Sequence, residues 1–292
     1  MSNPDKAPVS IFIGTKDEER NIAECIKHLS WADEIIVFDS FSTDKTLQIA
    51  QEMGVKKIVQ REFDDFATHW NWGLEHIDFK HEWILFIAPD ERVTEALAAE
   101  IRALLQQRPK FNGYYIGRQI WFAGKWIRYG GWYPNWSLRL VRRGCGRFEH
   151  RIVHEHFLLD GPAGYLKNPL IHYDYKGIER YFGRQNTYSS MEAVEVYRLL
   201  SQRNHESLPA KLAARGPEQR RFLKNLAYRY LPARPLFKFV WMYILRLGFL
   251  DGRLGFRHCF LHAFYEYQIN LKLEELGDPE SPLYEKYRNY LQ

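Results

Sequence analysis

The chain opens with an apolar run, Val9-Ser10-Ile11-Phe12-Ile13, then a polar turn from Gly14 to Asn21 and a helical pattern. The same order repeats at once: a second apolar run ends at Asp39, and the polar stretch Ser40 to Thr46 follows it. β-Branched runs separated by helical patterns predict a parallel βαβ sheet, and ligands of such sheets bind at the carboxyl ends of the strands. A third strand is predicted over Glu82 to Ile87, running into Ala88-Pro89-Asp90-Glu91, with Asp90 a candidate cap for a helix from Glu91 to Leu105. A later strand-like run, Tyr165 to Ile171, ends at His172. Beyond about residue 176 helices take over: Gly177 to Leu200, a polar break from Ser201 to Pro217, a basic and aromatic stretch from Arg220 to Leu250, and a turn within Leu247 to Phe256. The expected division is an α/β domain over residues 1–175 and a helical extension over 176–292.

Composition agrees with a globular chain: 292 residues with 46% hydrophobic content suffice for a real core. The net charge of +5 is modest but concentrated in the last third, which points to an anionic partner. The three cysteines, Cys25, Cys145 and Cys259, lie far apart without metal spacing, so a reduced, cytosolic setting is expected. The start, MSNPDKAP, lacks the pattern of a signal peptide. No nucleic-acid motif accompanies the charge, and a nucleic-acid partner is not expected.

Acids and hydroxyls at parallel strand ends suit the base and ribose of a nucleotide. For Ser42, Thr43 and Asp44 the competing reading is capping of the following helix. The two stretches resemble the "PTxNEExN" and "DxxSxDxT" signatures of inverting family 2 glycosyltransferases with a GT-A fold, a Rossmann-like, mostly parallel sheet flanked by helices. The departures are Gly14, Lys16 and Phe41, where the family commonly has Pro, Tyr and Gly. The resemblance implies that Thr15, Asp17, Glu19, Asp39, Asn71 and Asp90 contact the donor, a nucleotide-sugar of the UDP type. Asn71 enters through Phe63 to Leu74, which resembles the family's "FxxQxNxAL" helix start; Asp65 and Thr68 there are rival capping residues. Ala88 to Glu91 resembles "hhLDADE", whose two aspartates help hold a divalent cation. Ala88 replaces the first, and the resemblance leaves Asp90, partnered by His172, as the expected ligands of Mg2+ or Mn2+. Arginines between Gly117 and Arg147 offer an alternative way to neutralise a leaving diphosphate.

Gly130 to Leu140, Gly146 to Glu155 and Gly164 to Tyr173 resemble "GGWYPD", "RFEGRxVHE" and "YLKNPLxHYxY" of the lipopolysaccharide-core branch, with Asn135 in place of an aspartate. This implies acceptor binding by Trp132, Tyr133, Trp136 and Arg139. It also implies Glu155 as the catalytic base with His154 beside it, and Glu149 is the alternative acid. The reading of the whole chain is an inverting hexosyltransferase acting on a membrane-linked glycan such as lipopolysaccharide core. The alternatives are a polyprenyl-linked or exopolysaccharide acceptor, or a non-catalytic nucleotide-sugar-binding scaffold. No uncharged apolar run approaches the roughly 20 residues of a spanning helix, so peripheral attachment to the cytoplasmic face of the inner membrane is expected of the tail. A helical subdomain packed on the sheet and a homo-oligomer interface are the competing readings.

Overall fold

The computed structural model describes residues 6–149, 156–173, 176–201, 228, 231 and 233–291. The chain forms two compact units, Met1–Arg128 with Trp132–Ile178, and Tyr129–Gly131 with Glu179–Gln292. The second unit thus takes in Tyr129–Gly131, three residues far from the rest of it in sequence.

The first unit is a mixed, mostly parallel sheet with helices. β1 (Ala7–Thr15) lies between β2 (Ala32–Asp39) and β4 (Trp83–Ile87), parallel to both, and β3 (Lys57–Gln60) extends the parallel set beyond β2. β8 (Asn135–Arg142) continues it antiparallel from β4 and pairs antiparallel with β6 (Gly113–Phe122). β6 then pairs in parallel with β12 (Leu170–Tyr173), against which β5 (Glu91–Val93) runs antiparallel. Short strands β7 (Lys125–Trp126) and β11 (Gly164–Tyr165) attach to β6, and β9 (Gly146–Phe148) with β10 (Phe157–Leu159) forms a separate hairpin.

Alternate residues of a strand face opposite sides, and the apolar runs use both. Val9, Ile11 and Ile13 of β1, with Leu85 and Ile87 of β4, pack with α1 (Ile22–Lys27) and α4 (Glu95–Gln106). Phe12, Phe38, Ile84 and Phe86 face the other way, towards α3 (Phe66–His76). Phe12 is the centre of that second layer, with ring centroids 4.9 Å from Trp70, 5.2 Å from Phe79 and 5.4 Å from Phe38. Gly73 lets α3 approach, since a Cβ there would lie 2.6 Å from the Phe12 ring. A Cβ at Gly14 would lie 2.7 Å from Trp70, so the departure from proline at this position makes room for that indole.

Two sequence expectations are corrected here. Glu91–Val93 is a strand, and the helix after it starts at Glu95 with Thr94 as its cap, the Leu97 N–H donating to Thr94 Oγ1 at 3.2 Å. Asp90 is therefore not a helix cap. The run Tyr165 to Ile171 is broken into β11 and β12, because Lys167 and Asn168 turn their N–H groups onto the Glu100 carboxylate, each at 2.9 Å, and Pro169 has none to offer.

The second unit is helical. α5 (Gly177–Ser201), which begins at the end of the first unit, is followed among the described residues by α6 (Arg234–Val240), a π turn (Trp241–Leu245) and a 3-10 turn (Gly248–Asp251). α7 (Gly252–Leu276) and α8 (Pro282–Leu291) complete it. Lys272 on α7 donates to Asn186 O at 2.6 Å and to Ser189 and Ser190 Oγ at 2.8 Å, which ties α7 to α5. Arg234 is buried over the Tyr228 ring at 3.6 Å, with Glu266 Oε2 at 3.5 Å from its Nε. Arg220, Arg221, Lys224 and Arg229 of the basic stretch lie outside the described residues.

Phe12→Ala is expected to lower stability by about 3–5 kcal/mol, and Gly73→Ala by about 1–3 kcal/mol through overpacking. Chemical denaturation of the two variants, followed by circular dichroism, measures both.

Candidate functional site

The polar turns after β1 and β2 are laced together, and Asp39 is the knot. Its carboxylate is fully buried and accepts four hydrogen bonds: Thr15 Oγ1 at 2.9 Å and Ser42 Oγ at 2.5 Å on Oδ1, Ser42 N at 2.9 Å and Gln60 Nε2 at 3.0 Å on Oδ2. These match the four lone-pair sites of a carboxylate. Thr15 is thereby an Asp39 partner. Asp17 Oδ1 accepts from Thr43 N at 2.8 Å, and Asp44 Oδ2 accepts from Glu19 N at 3.0 Å. Glu19 Oε2 accepts in turn from Lys45 N at 3.3 Å. Thr46 N donates to Asp44 Oδ1 at 2.9 Å, at the start of α2 (Thr46–Glu52). Asp17 and Phe41 hold positive φ of 52° and 57°. Strain of this kind persists where the surroundings over-determine the backbone. The structure therefore brings Thr15, Asp17, Glu19 and Asp39 together, each engaged in loop-to-loop hydrogen bonds.

A second cluster lies where β4 passes into β5. Asp90 Oδ2 is 3.2 Å from His172 Nε2. Burial alone would lower the His172 imidazole, but the Asp90 carboxylate beside it prevails and holds it above its ordinary value. Glu91 is fully buried; its Oε1 lies 2.6 Å from Arg139 Nη2 and 3.6 Å from Arg118 Nη1, and its Oε2 accepts from Ala88 N at 2.8 Å. Arg118 also donates to Asn135 Oδ1 at 2.9 Å. The β6–β8 register shifts between Tyr114 and Tyr115, which pair with Leu140 and Leu138. Arg139 is thus the extra residue of a bulge, a device that re-aims a side chain. Arg118 Nε, Arg139 Nε and His172 Nδ1 are buried and meet no hydrogen-bond partner among the described residues. Glu91 escaped sequence reading because it looks like the first residue of a helix.

Asn71 and most of the residues expected to bind acceptor have protein partners. Asn71 receives a hydrogen bond from Phe148 N at 2.8 Å and donates to Phe148 O at 2.9 Å, so its amide extends β9 like a strand neighbour. Asn71 thereby joins α3 to β9. Asp65 caps α3, as the rival reading had it, accepting from Thr68 N at 2.8 Å. Arg139 turns to Glu91, whereas Trp136 meets the exposed ring of Tyr165 edge-on at 5.0 Å, and Tyr165 stacks on Tyr115 at 5.0 Å. Tyr133 packs edge-on against Trp126 at 5.1 Å, and Trp132 is half-buried. His154 and Glu155 lie outside the described residues. Glu149 joins the ends of the β9–β10 hairpin, its N–H donating to His156 O at 3.0 Å and its Oε1 accepting from His156 N at 3.1 Å.

For a divalent cation the two acids are not equivalent. Glu91 is occupied by guanidinium and backbone groups, and among the described residues no group of three His, Cys, Asp or Glu side chains is placed to hold a metal. Asp90 with His172 remains, a two-residue set that fits an ion whose other ligands come from substrate phosphate and water.

The raised His172 fixes the sign of a pH effect. An imidazole raised on folding contributes stability that is fully present below its unfolded value of 6.5 and is lost as pH rises through the folded value. The stability difference between wild type and His172→Gln, measured by denaturation in metal-free buffer, is expected to be larger at about pH 5.5 than at about pH 8.5. An equal difference at both would remove the charge from the pair.

Residues 10–154 match the sequence model of Glycosyl transferase family 2. A lipopolysaccharide core biosynthesis glycosyltransferase, LpsC, of Rhizobium meliloti (strain 1021) is 28% identical over 194 residues, covering 64% of this chain and 71% of that protein. An uncharacterized glycosyltransferase of Rickettsia typhi is 26% identical over 286 residues, covering 92% of this chain and 87% of the other. Among solved structures, S. aureus TarS 1–349 aligns with 96% of this chain and 91% of its own at 13% identity, with a TM-score of 0.43. With its sheet, its two strand-end turns and the match to the family model in hand, residues 10–154 of this chain are a glycosyl transferase family 2 domain.

Proposed function

We propose that the protein transfers a hexose, with inversion, from a UDP-sugar to a membrane-linked glycan of the lipopolysaccharide-core type. The observation that carries this reading is the group of buried nitrogens beside Asp90, His172 Nδ1, Arg118 Nε and Arg139 Nε, that meet no partner among the described residues, since orphaned buried donors call for an anionic ligand. A departing nucleoside diphosphate has that chemistry. The laced turns of Asp17, Glu19 and Asp39 supply a rigid rim for the nucleoside. The Rhizobium meliloti relative supports the choice of acceptor.

In this reading Arg118 and Arg139, held by Glu91, face the charge that develops on the diphosphate, and preorganised charge of this kind is worth most at a buried site. Asp90 and His172 would hold magnesium or manganese, which when bound neutralises the same diphosphate. Glu155 takes the proton from the attacking acceptor hydroxyl, with His154 orienting it, and Trp132, Tyr133 and Trp136 offer aromatic faces to acceptor sugars. The protein works as a peripheral protein at the cytoplasmic face of the inner membrane. A second reading, a non-catalytic nucleotide-sugar-binding scaffold, is favoured by Ala88, which removes one metal-binding acid.

Sugar transfer from UDP-sugars to purified core glycolipid tests the proposal. Glu155→Gln is expected to lower turnover by roughly 10²-fold or more while UDP affinity, read by calorimetry, stays unchanged. Near-normal turnover there, with collapse in Glu149→Gln, would move the base to Glu149; no turnover by wild type with any donor would leave the scaffold. Excess chelator is expected to reduce the rate without abolishing it, because the two arginines remain. Full turnover in chelator would assign the leaving group to them alone.

A further inference from the structure

The helical unit leaves its apolar residues in solvent as a group. Ile244, Leu245, Leu247, Phe249 and Leu250, in and around the π and 3-10 turns between α6 and α7, are all exposed, Leu245 by 64% and Leu250 by 52%. Phe256, Phe260 and Phe264 follow at one-turn spacing along α7 and are exposed as well, so the apolar surface is continuous with one stripe of that helix. Contiguous apolar surface of this extent marks an interaction site.

The charges in the same stretch have one sign. Arg246, Arg253 and Arg257 are exposed, and Trp241 carries Arg246 at 5.0 Å and Lys238 at 5.9 Å from its ring. From Arg234 to Phe264 the sequence holds a single acid, Asp251. Its carboxylate is turned onto the N–H of Tyr129 at 2.9 Å. The turn is also rigid. A Cβ at Gly255 would lie 2.0 Å from Gly248 O, and Gly130 N donates to Arg246 O at 2.9 Å, so the two helices and the Tyr129–Gly131 segment clamp the exposed residues in place.

Two occupants fit an apolar face, and the charge chooses between them. A two-fold dimer would set these arginines near their own copies, whereas interface cores are depleted of charge. A lipid surface with anionic headgroups takes both features, apolar side chains in the acyl boundary and arginines on phosphate. No helix among the described residues is long and apolar enough to cross a membrane.

We propose that the α6–α7 turn is the membrane-entering element of this protein, with Ile244, Leu245, Phe249 and Leu250 in the acyl boundary and Arg246, Arg253 and Arg257 on anionic headgroups. This deepens the peripheral location proposed above by naming the surface that makes it.

Pelleting of the full chain with vesicles tests it, using phosphatidylcholine alone and phosphatidylcholine with about one-third phosphatidylglycerol. Wild type is expected to bind the anionic vesicles preferentially. The triple variant Arg246→Gln, Arg253→Gln, Arg257→Gln is expected to bind them roughly 100-fold more weakly, about fivefold for each charge. Leu245→Asp with Leu250→Asp removes binding in low salt as well, although both positions are exposed and thermal melting should be unchanged. Equal binding by wild type and both variants, or no binding by wild type, overturns the proposal. A dimer in sedimentation equilibrium that the Leu245→Asp, Leu250→Asp variant abolishes, without vesicle binding by wild type, assigns the face to a second copy. UDP calorimetry on the same proteins keeps the two readings apart: lost nucleotide binding with normal vesicle binding sinks the transferase and leaves the anchor.

Discussion

A carboxylate taken out of water has to be met by donors, and Asp39 depends on four of them. Three come from residues of the two strand-end turns, Thr15 and Ser42, and the fourth from Gln60 on the neighbouring strand β3. The cost of burying the charge is offset only while β1, β2 and β3 keep their parallel register and the turns stay closed. Asp17 and Phe41 can then be held in left-handed backbone conformations that would cost about 1–3 kcal/mol each in isolation. The rim of the site is a consequence of satisfying one buried acid.

Glu91 repeats this logic at the other half of the sheet. It is buried beside Arg118 and Arg139, on strands β6 and β8, and it also fixes the Ala88 N–H. The bulge in β8 sends Arg139 towards this acid and leaves Trp136 with Tyr165 and Tyr115. One extra residue in one strand thus separates a charged cluster from an aromatic one.

The helical unit divides its cations in the same physical terms. Arg234 and Lys272 have partners that compensate their desolvation, a tyrosine face and Glu266 for the first, Asn186 and two serines for the second. Arg246, Arg253 and Arg257 remain in solvent among exposed aliphatic and aromatic side chains. In the sequence all five look alike, and only the partners distinguish them.

The parallel strands were legible in the sequence because β1, β2 and β4 are buried on both faces, which forces apolar runs, and because their polar turns concentrate acids and hydroxyls. The helical character of the region from Gly177 was equally local. Strands β6 and β8 were not legible, since Gly117, Arg118, Asn135 and Arg139 interrupt any apolar period, and their pairing is a contact between distant segments. The engagement of Asn71 with Phe148, the bulge at Arg139 and the pairing of Glu91 with two arginines are likewise decided by tertiary structure. The pairing of Asp90 with His172, and its separation from Glu91, depend on β5 being a strand rather than a helical turn. Sequence alone determined the parallel strands β1, β2 and β4, the helical character from Gly177 and which residue types collect at the strand ends. Tertiary structure decided which of those groups are consumed by one another, because hydrogen-bond partners and desolvation exist only once distant strands are side by side.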